Sequence, residues 1–338
     1  MVRFPHRRIA APVAVAVALA LVTQAVGQAV LPQVALERPA EYALVVDLEA
    51  ATPERMAATR QVLERAAGEE VAAGLEHGLS DYDELWQAIH DTGLRQVVVL
   101  GSPDGDAVTV LLAHAAGTDV EDLAAGLLPV AQMGLGGPVG HGEIEITALD
   151  DRWAYVSGPN LIAPGSGEAA DHGALDAILA EAQGAAVRLA FTPGDASQQM
   201  LAQAQQDPNA MMFAGAMGPL QGLTSGIVSL QLGEAAHVEL SLEFADADAA
   251  RHFHRELNQV VQAIGAIAAM GMAQDPDAPE VDFEAMQRGL ASLVPELNDT
   301  RVSKRFDEAL LAGLADAGLI EVAQAMQGPD EEMDDFDW

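Results

Sequence analysis

Apolar and polar positions alternate most clearly in two stretches of the chain that copy one another. Val97, Val98, Val99 and Leu100 form an apolar run that breaks at Gly101. A turn of Ser102-Pro103-Asp104-Gly105-Asp106 follows, and Val108, Val110 and Leu112 re-emerge at every second position. Farther along, Val228, Leu230 and Leu232 break at Gly233, and Val238, Leu240 and Leu242 re-emerge after Glu234-Ala235-Ala236. Such alternation predicts strands, because successive side chains of an extended chain leave on opposite sides. A helix start follows each copy, so Val108, Val110, Leu112, Leu123 and Leu127 fall on Val238, Leu240, Leu242, Phe253 and Leu257 at one constant offset. Self-similarity on this scale predicts a duplicated unit.

The remaining elements fit around these two hairpins. Tyr42 to Leu48 is a strand. Thr52-Pro53-Glu54 supplies an N-cap, a proline at the first helical position and an acid in the first turn, and Met56, Leu63 and Ala67 carry the apolar face of the helix that follows. A short helix bears Leu85, Trp86 and Ile89 and stops at Thr92-Gly93. After the hairpin a helix runs through Leu123, Leu127 and Val130, and strands are predicted at Glu143 to Thr147 and Trp153 to Val156. A helix from Ala174 to Ala182 leads to the second half. That half opens with a strand at Ala186 to Phe191 and a capping box of Asp195 and Gln198. After its hairpin come a long helix with Phe253, Leu257, Val260, Ile264, Ile267 and Met270 on one face, a helix at Phe283 to Leu293, a strand at Thr300 to Phe306 and a closing helix from Asp307.

Each half therefore reads strand, helix, strand, strand, helix, strand. The fold class is α+β: two repeated ferredoxin-like βαββαβ halves, antiparallel sheets with helices on one face. The expected division is a signal peptide at 1–29, a first domain at 41–158, a linker with a short helix at 159–184, a second domain at 185–327 and a disordered acidic tail at 328–338. Val238, Leu240 and Leu242 alternate with Glu239, Ser241 and Glu243, so that hairpin should show one face to water. Thr109, Leu111 and Ala113 are only weakly polar, so the matching face of the first hairpin should pack against something, with the other half as the expected partner.

The N-terminus changes the compartment. Arg3, Arg7 and Arg8 precede an uncharged Ile9 to Val22, and Gly27 and Ala29 offer small residues for cleavage after Ala29. Export, periplasmic or extracellular, is the expectation, with an uncleaved N-terminal anchor as the alternative. The chain has no cysteine, which removes disulfides, thiolate metal sites and cysteine nucleophiles. Its formal net charge is -35, and of its 16 basic residues only Lys304 is a lysine. That surface disfavours nucleic acid and peripheral membrane binding.

Motif chemistry adds little. Gly134-Leu135-Gly136-Gly137-Pro138-Val139-Gly140 misses the dinucleotide spacing, and Pro138 removes an amide donor. His252 and His254 stand two apart on a helix and face different ways, and His237-Val238-Glu239 lacks the cysteines a deaminase zinc site requires. Neither Ser166 nor Ser225 lies in a G-x-S-x-G turn. No catalytic residue, cofactor-binding residue or metal ligand is assigned, and no cofactor is expected. Phe336 and Trp338, the aromatics of the acidic tail, are the candidate partner motif, and the tail's carboxylates are expected to hold divalent cations weakly.

The export signal, the acidic alanine-rich body and the doubled strand-turn-strand-helix core resemble, in layout, uncharacterised exported α+β proteins of environmental bacteria. The resemblance carries no functional residues. The expected function is an exported, non-catalytic binding or structural module for an unknown protein or small-molecule partner. The alternative is a hydrolase using carboxylates and histidine in the cleft between the halves, with Asp47, His114 and His141 as the groups that would have to converge.

Overall fold

The computed structural model describes residues 31–32, 34, 36, 40–68, 82–102, 108–134, 145–158, 161–165, 172–194, 197, 220, 222–274 and 283–319. The export segment, His141, the capping box at Asp195 and the tail with Phe336 and Trp338 lie outside them. Among the described residues no helix is long and apolar enough to cross a membrane.

The protein is α+β, and its strands form one ten-stranded antiparallel sheet. The strands are β1 Tyr42–Asp47, β2 Leu94–Gly101, β3 Thr109–His114, β4 Glu145–Ala148, β5 Trp153–Ser157, β6 Val187–Phe191, β7 Leu223–Gln231, β8 His237–Phe244, β9 Glu296–Asn298 and β10 Arg301–Phe306. Among the described residues seven helices accompany them: α1 Pro53–Ala67, α2 Tyr82–Asp91, α3 Val120–Gly134, α4 Gly173–Glu181, α5 Ala247–Gln274, α6 Phe283–Leu293 and α7 Glu308–Asp316. The order across the sheet is β4-β5-β3-β2-β1-β6-β7-β8-β10-β9.

Every pairing between named strands is antiparallel, and β1 lies directly between β2 and β6. The split βαβ arrangement expected from the element order instead sets helix-connected strands parallel. Element order does not fix pairing: a connection as long as the one carrying α1 and α2 lets β2 return beside β1 in either direction. The two halves meet along Leu44↔Leu189, with Tyr42↔Phe191 and Val46↔Val187 on either side.

Outward from that joint the order is β1, β2, β3, β5, β4 on one side and β6, β7, β8, β10, β9 on the other. The agreement reaches finer details. The β2–β3 register shifts between Leu94 and Gln96, and the β7–β8 register between Leu223 and Ser225. A glycine in the left-handed region precedes each bulged strand, Gly93 at φ 80 and Gly222 at φ 86. Ala115 donates its amide to the Gly93 carbonyl, and Ala245 to that of Gly222, both at 2.8 Å. Glycine adopts this conformation without the Cβ clash that other residues meet.

Paired residues share a face, so the register assigns the core. Leu44, Val46, Val97, Val99, Val110 and Leu112 pack with Met56 of α1, Trp86 and Ile89 of α2, and Leu123 and Leu127 of α3. In the second half Leu240, Leu242 and Val302 meet Ala250 and Phe253 of α5, whose ring lies 5.2 Å from that of Phe244. α1 begins as its sequence dictates, with Thr52 accepting from the Arg55 amide. It buries Val62 and Ala66 rather than Leu63 and Ala67, a rotation of one residue. Farther along α5, Val260 is exposed, so the stripe read through it does not lie wholly on the core.

The opposite face is not bare. Val45, Val98, Leu100 and Leu111 are covered there by Leu31 and Val34 of the lead-in and by Leu175 and Leu179 of α4. The cover of the first hairpin is thus the lead-in and the crossover helix rather than the other half. The Leu31 amide ties the two together by donating to Asp176 at 2.7 Å.

Candidate functional site

Strands at the middle of a wide sheet are ordinarily its best covered, yet on the α1 side of the joint Tyr42, Leu189 and Phe191 are only half-buried. The cause lies in one cross-strand row, Gly101–Tyr42–Phe191–Gly226. A Cβ built on Gly101 would stand 2.3 Å from the Tyr42 hydroxyl, and one on Gly226 2.2 Å from Cζ of Phe191. Each ring therefore leans outward over the glycine of the next strand, Tyr42 onto β2 and Phe191 onto β7. Cross-strand aromatic neighbours would normally fill the space above their strands by packing on one another. Here the rings part, leaving a slot between them.

The slot encloses about 320 Å³ and is lined by Glu41, Tyr42, Leu189, Phe191, Pro193 and Ser197. Its polar end is built. The Glu41 carboxylate accepts from the Gly194 amide at 2.9 Å and from the Ser197 hydroxyl. The backbone of Glu41 bridges the halves as well, donating to the Gly101 carbonyl at 2.8 Å and accepting from the Thr192 amide at 2.7 Å. Burial holds the Tyr42 phenol above its ordinary pKa, so the ring stays neutral. The volume falls at the lower end of ligand pockets, about 300–1,000 Å³, and an apolar wall with a few placed polar groups is their usual construction.

A larger hollow of about 490 Å³ lies beside the ends of α2 and β3, lined by Asp91, Thr92, Gly93, Thr118, Asp119 and Asp122 among others. Two of its acids make local bonds: Asp119 accepts from the Glu121 amide, and Asp91 from the Gln87 side chain one turn earlier on α2. Among the described residues no three histidines or carboxylates come together as a metal site. His254 contacts the Pro295 carbonyl at 3.0 Å, His252 stands 3.8 Å from Glu256, and His237 stands 3.9 Å from Glu239.

Of the groups named for hydrolysis, the two among the described residues, Asp47 and His114, lie on opposite faces of the sheet. Asp47 follows Ala43 and Val45 onto the α4 side, where it stands 3.6 Å from Arg188. His114 follows Val110 and Leu112 onto the opposite side, and its Nδ1 contacts the adjoining Ala115 carbonyl. Arg188 is 1% exposed. It donates to the Leu179 carbonyl of α4 at 3.4 Å, while burial pulls its guanidinium below the usual value and Asp47 opposes that shift. Asp47 comes from the first half, Arg188 from the second and Leu179 from the crossover between them. The arrangement pins the three together.

Sequence reasoning missed every residue of the slot. The available signal was weak: a glycine at one end of an apolar stretch in each half, Gly101 and Gly226, and an aromatic at one end of each central strand in a chain only 4% aromatic. No protein-family model, curated protein or solved structure matches the chain.

Proposed function

We propose that this chain is an exported, non-catalytic binding module made of two copies of one five-strand unit, and that it receives a small apolar ligand in the slot at their joint. The observation that carries the proposal is the parting of Tyr42 and Phe191 over Gly101 and Gly226, which leaves an apolar space where a solid core was to be expected. Common strand order, matching bulges and the paired glycines Gly93 and Gly222 support the duplication. Export follows from the n-region, apolar run and small residues before Val30. Cleavage after Ala29 keeps Leu31 and Val34, whose side chains are buried in the core.

A ligand-observed NMR screen of small aromatic and aliphatic compounds tests the binding reading. Compounds should associate with the native protein and not with Gly226→Ala, in which the added methyl drives the Phe191 ring back into the slot. A screen without hits, or hits that persist in Gly226→Ala, defeats it. N-terminal sequencing of secreted protein should begin at Val30, whereas a membrane fraction that retains Met1 or Val2 would establish the anchor instead.

A further inference from the structure

We infer that the slot selects apolar organic cations, alkyl- or arylammonium groups, over neutral or anionic molecules of the same shape. The inference rests on the binding reading above and adds the charge of the ligand to it. Three independent features point the same way.

The first is the wall. Among the described lining residues are the aromatics Tyr42 and Phe191, on neighbouring strands. A cation over a ring face is attracted by the ring quadrupole, and the gain grows as water is excluded. A neutral molecule gains only apolar contact there.

The second is the rim. Among the described lining residues Glu41 supplies the one carboxylate, and none is basic. A carboxylate offers about four lone-pair positions. Gly194 and Ser197 engage Glu41 through one oxygen, Oε2. Capacity for a ligand therefore remains, on a group already held in place by two donors. Fixing a binding group beforehand lowers the entropy lost on association.

The third is the field. At a formal charge of -35 the protein raises the local concentration of cations and repels anions. A quaternary or alkylated ammonium suits the half-buried slot better than a metal ion, because its methyl groups gain from the Leu189 and Pro193 surface and its charge is less tightly hydrated.

The experiment uses choline, its uncharged isostere 3,3-dimethylbutan-1-ol and the anion 3,3-dimethylbutanoate. Each is titrated into the full mature chain by calorimetry or NMR at about 0.15 M salt, where the Debye length of about 8 Å suppresses diffuse attraction. Choline should bind about tenfold or more tightly than the alcohol, equivalent to about 1.4 kcal/mol, and the anion should not bind. Glu41→Gln should bring choline and the alcohol to within about threefold, a residual difference of about 0.7 kcal/mol. If Glu41→Gln does not fold, Phe191→Leu replaces it: this variant keeps an apolar wall and should weaken choline while sparing the alcohol. Gly226→Ala should abolish binding of both probes.

Equal affinity for choline and the alcohol in the native protein overturns the charge selectivity and leaves the slot itself standing. Choline binding that survives Gly226→Ala assigns the attraction to the acidic surface and overturns the inference. Binding of none of the probes overturns the inference, whereas the reading on which it rests stands or falls with the compound screen above.

Discussion

On the face of the sheet that carries α4, a single cross-strand row passes through Leu100, Ala43, Ala190, Ile227, Ser241 and Ser303. Its first-half members are buried beneath the lead-in and α4. Its outer second-half members belong to a hydroxyl and charge pattern, Glu239-Ser241-Glu243 on β8 facing Arg305-Ser303-Arg301 on β10. Arg301 meets Ser241 and Glu181 there, and Thr300 meets Glu243. Two regions with the same strand order thus differ in what lies over one face. Backbone topology is set by pairing and bulges, which the halves share, whereas each face is dressed by the alternate side chains of its strands. Changing those side chains adds or removes a layer without disturbing the sheet.

The boundary between the two dressings is the Asp47–Arg188 pair, and removing half of it should produce the largest effect. Asp47→Ala leaves a guanidinium buried without its countercharge and should cost about 3–5 kcal/mol, read as a lowered urea midpoint. Replacing both partners, Asp47→Leu with Arg188→Met, should recover most of that loss. A small penalty for the single change would mean that the boundary is sealed by α4 alone.

Within the row itself, Leu100→Ala should cost about 2–5 kcal/mol because the side chain is fully buried. Ser303→Ala, at a half-buried position whose side chain contributes little apolar surface, should stay within about 0.5 kcal/mol. Comparable costs at the two positions would show that the row is packed equally tightly in both halves.

At the joint, the raised Tyr42 phenol makes stability pH-dependent. The folded protein keeps its proton above the point near pH 10 at which an unfolded tyrosine loses it. The contribution is therefore complete below about pH 10 and is lost as pH climbs toward the higher folded value. Chemical unfolding at stepped alkaline pH should show this decline in the native protein and a shallower one in Tyr42→Phe. On the helix side, Arg65 of α1 meets Glu308 of α7 across the halves at 2.8 Å in full solvent. Arg65→Ala should leave the urea midpoint unchanged at physiological salt, the smallest effect expected, since exposed pairs are screened.

These contrasts also mark what could be read from sequence. Strands announced themselves through alternation, and β2, buried on both faces, through its unbroken Val97-Val98-Val99-Leu100 run. β9 was missed because three residues between Pro295 and the left-handed Asp299 are too short to establish a period. The helix phase at Val62 and Ala66 escaped because alanine and leucine neighbours offer two stripes of similar polarity. Pairing order was illegible for a different reason: alternation says which side chains share a face and nothing about which strand lies alongside. The slot inherits that blindness, since Tyr42 and Phe191 become neighbours only through the β1–β6 register, and the glycines that receive their rings belong to two further strands.

The joint has a kinetic consequence. β2 with β3, and β7 with β8, are hairpins between neighbouring segments, whereas Leu44 and Leu189 are far apart along the chain. Contacts between distant segments pay their loop-closure entropy before they return any stabilisation, so they form late. The last strand pair to zip should be β1–β6, at the centre of the sheet rather than at its rim. Until then each half presents a long apolar edge, while the finished outer edges, β4 and β9, are short and carry Glu145 and Glu296. Refolding at high protein concentration should therefore yield dimers in which β1 of one chain has met β6 of another, an exchange that the native register itself permits.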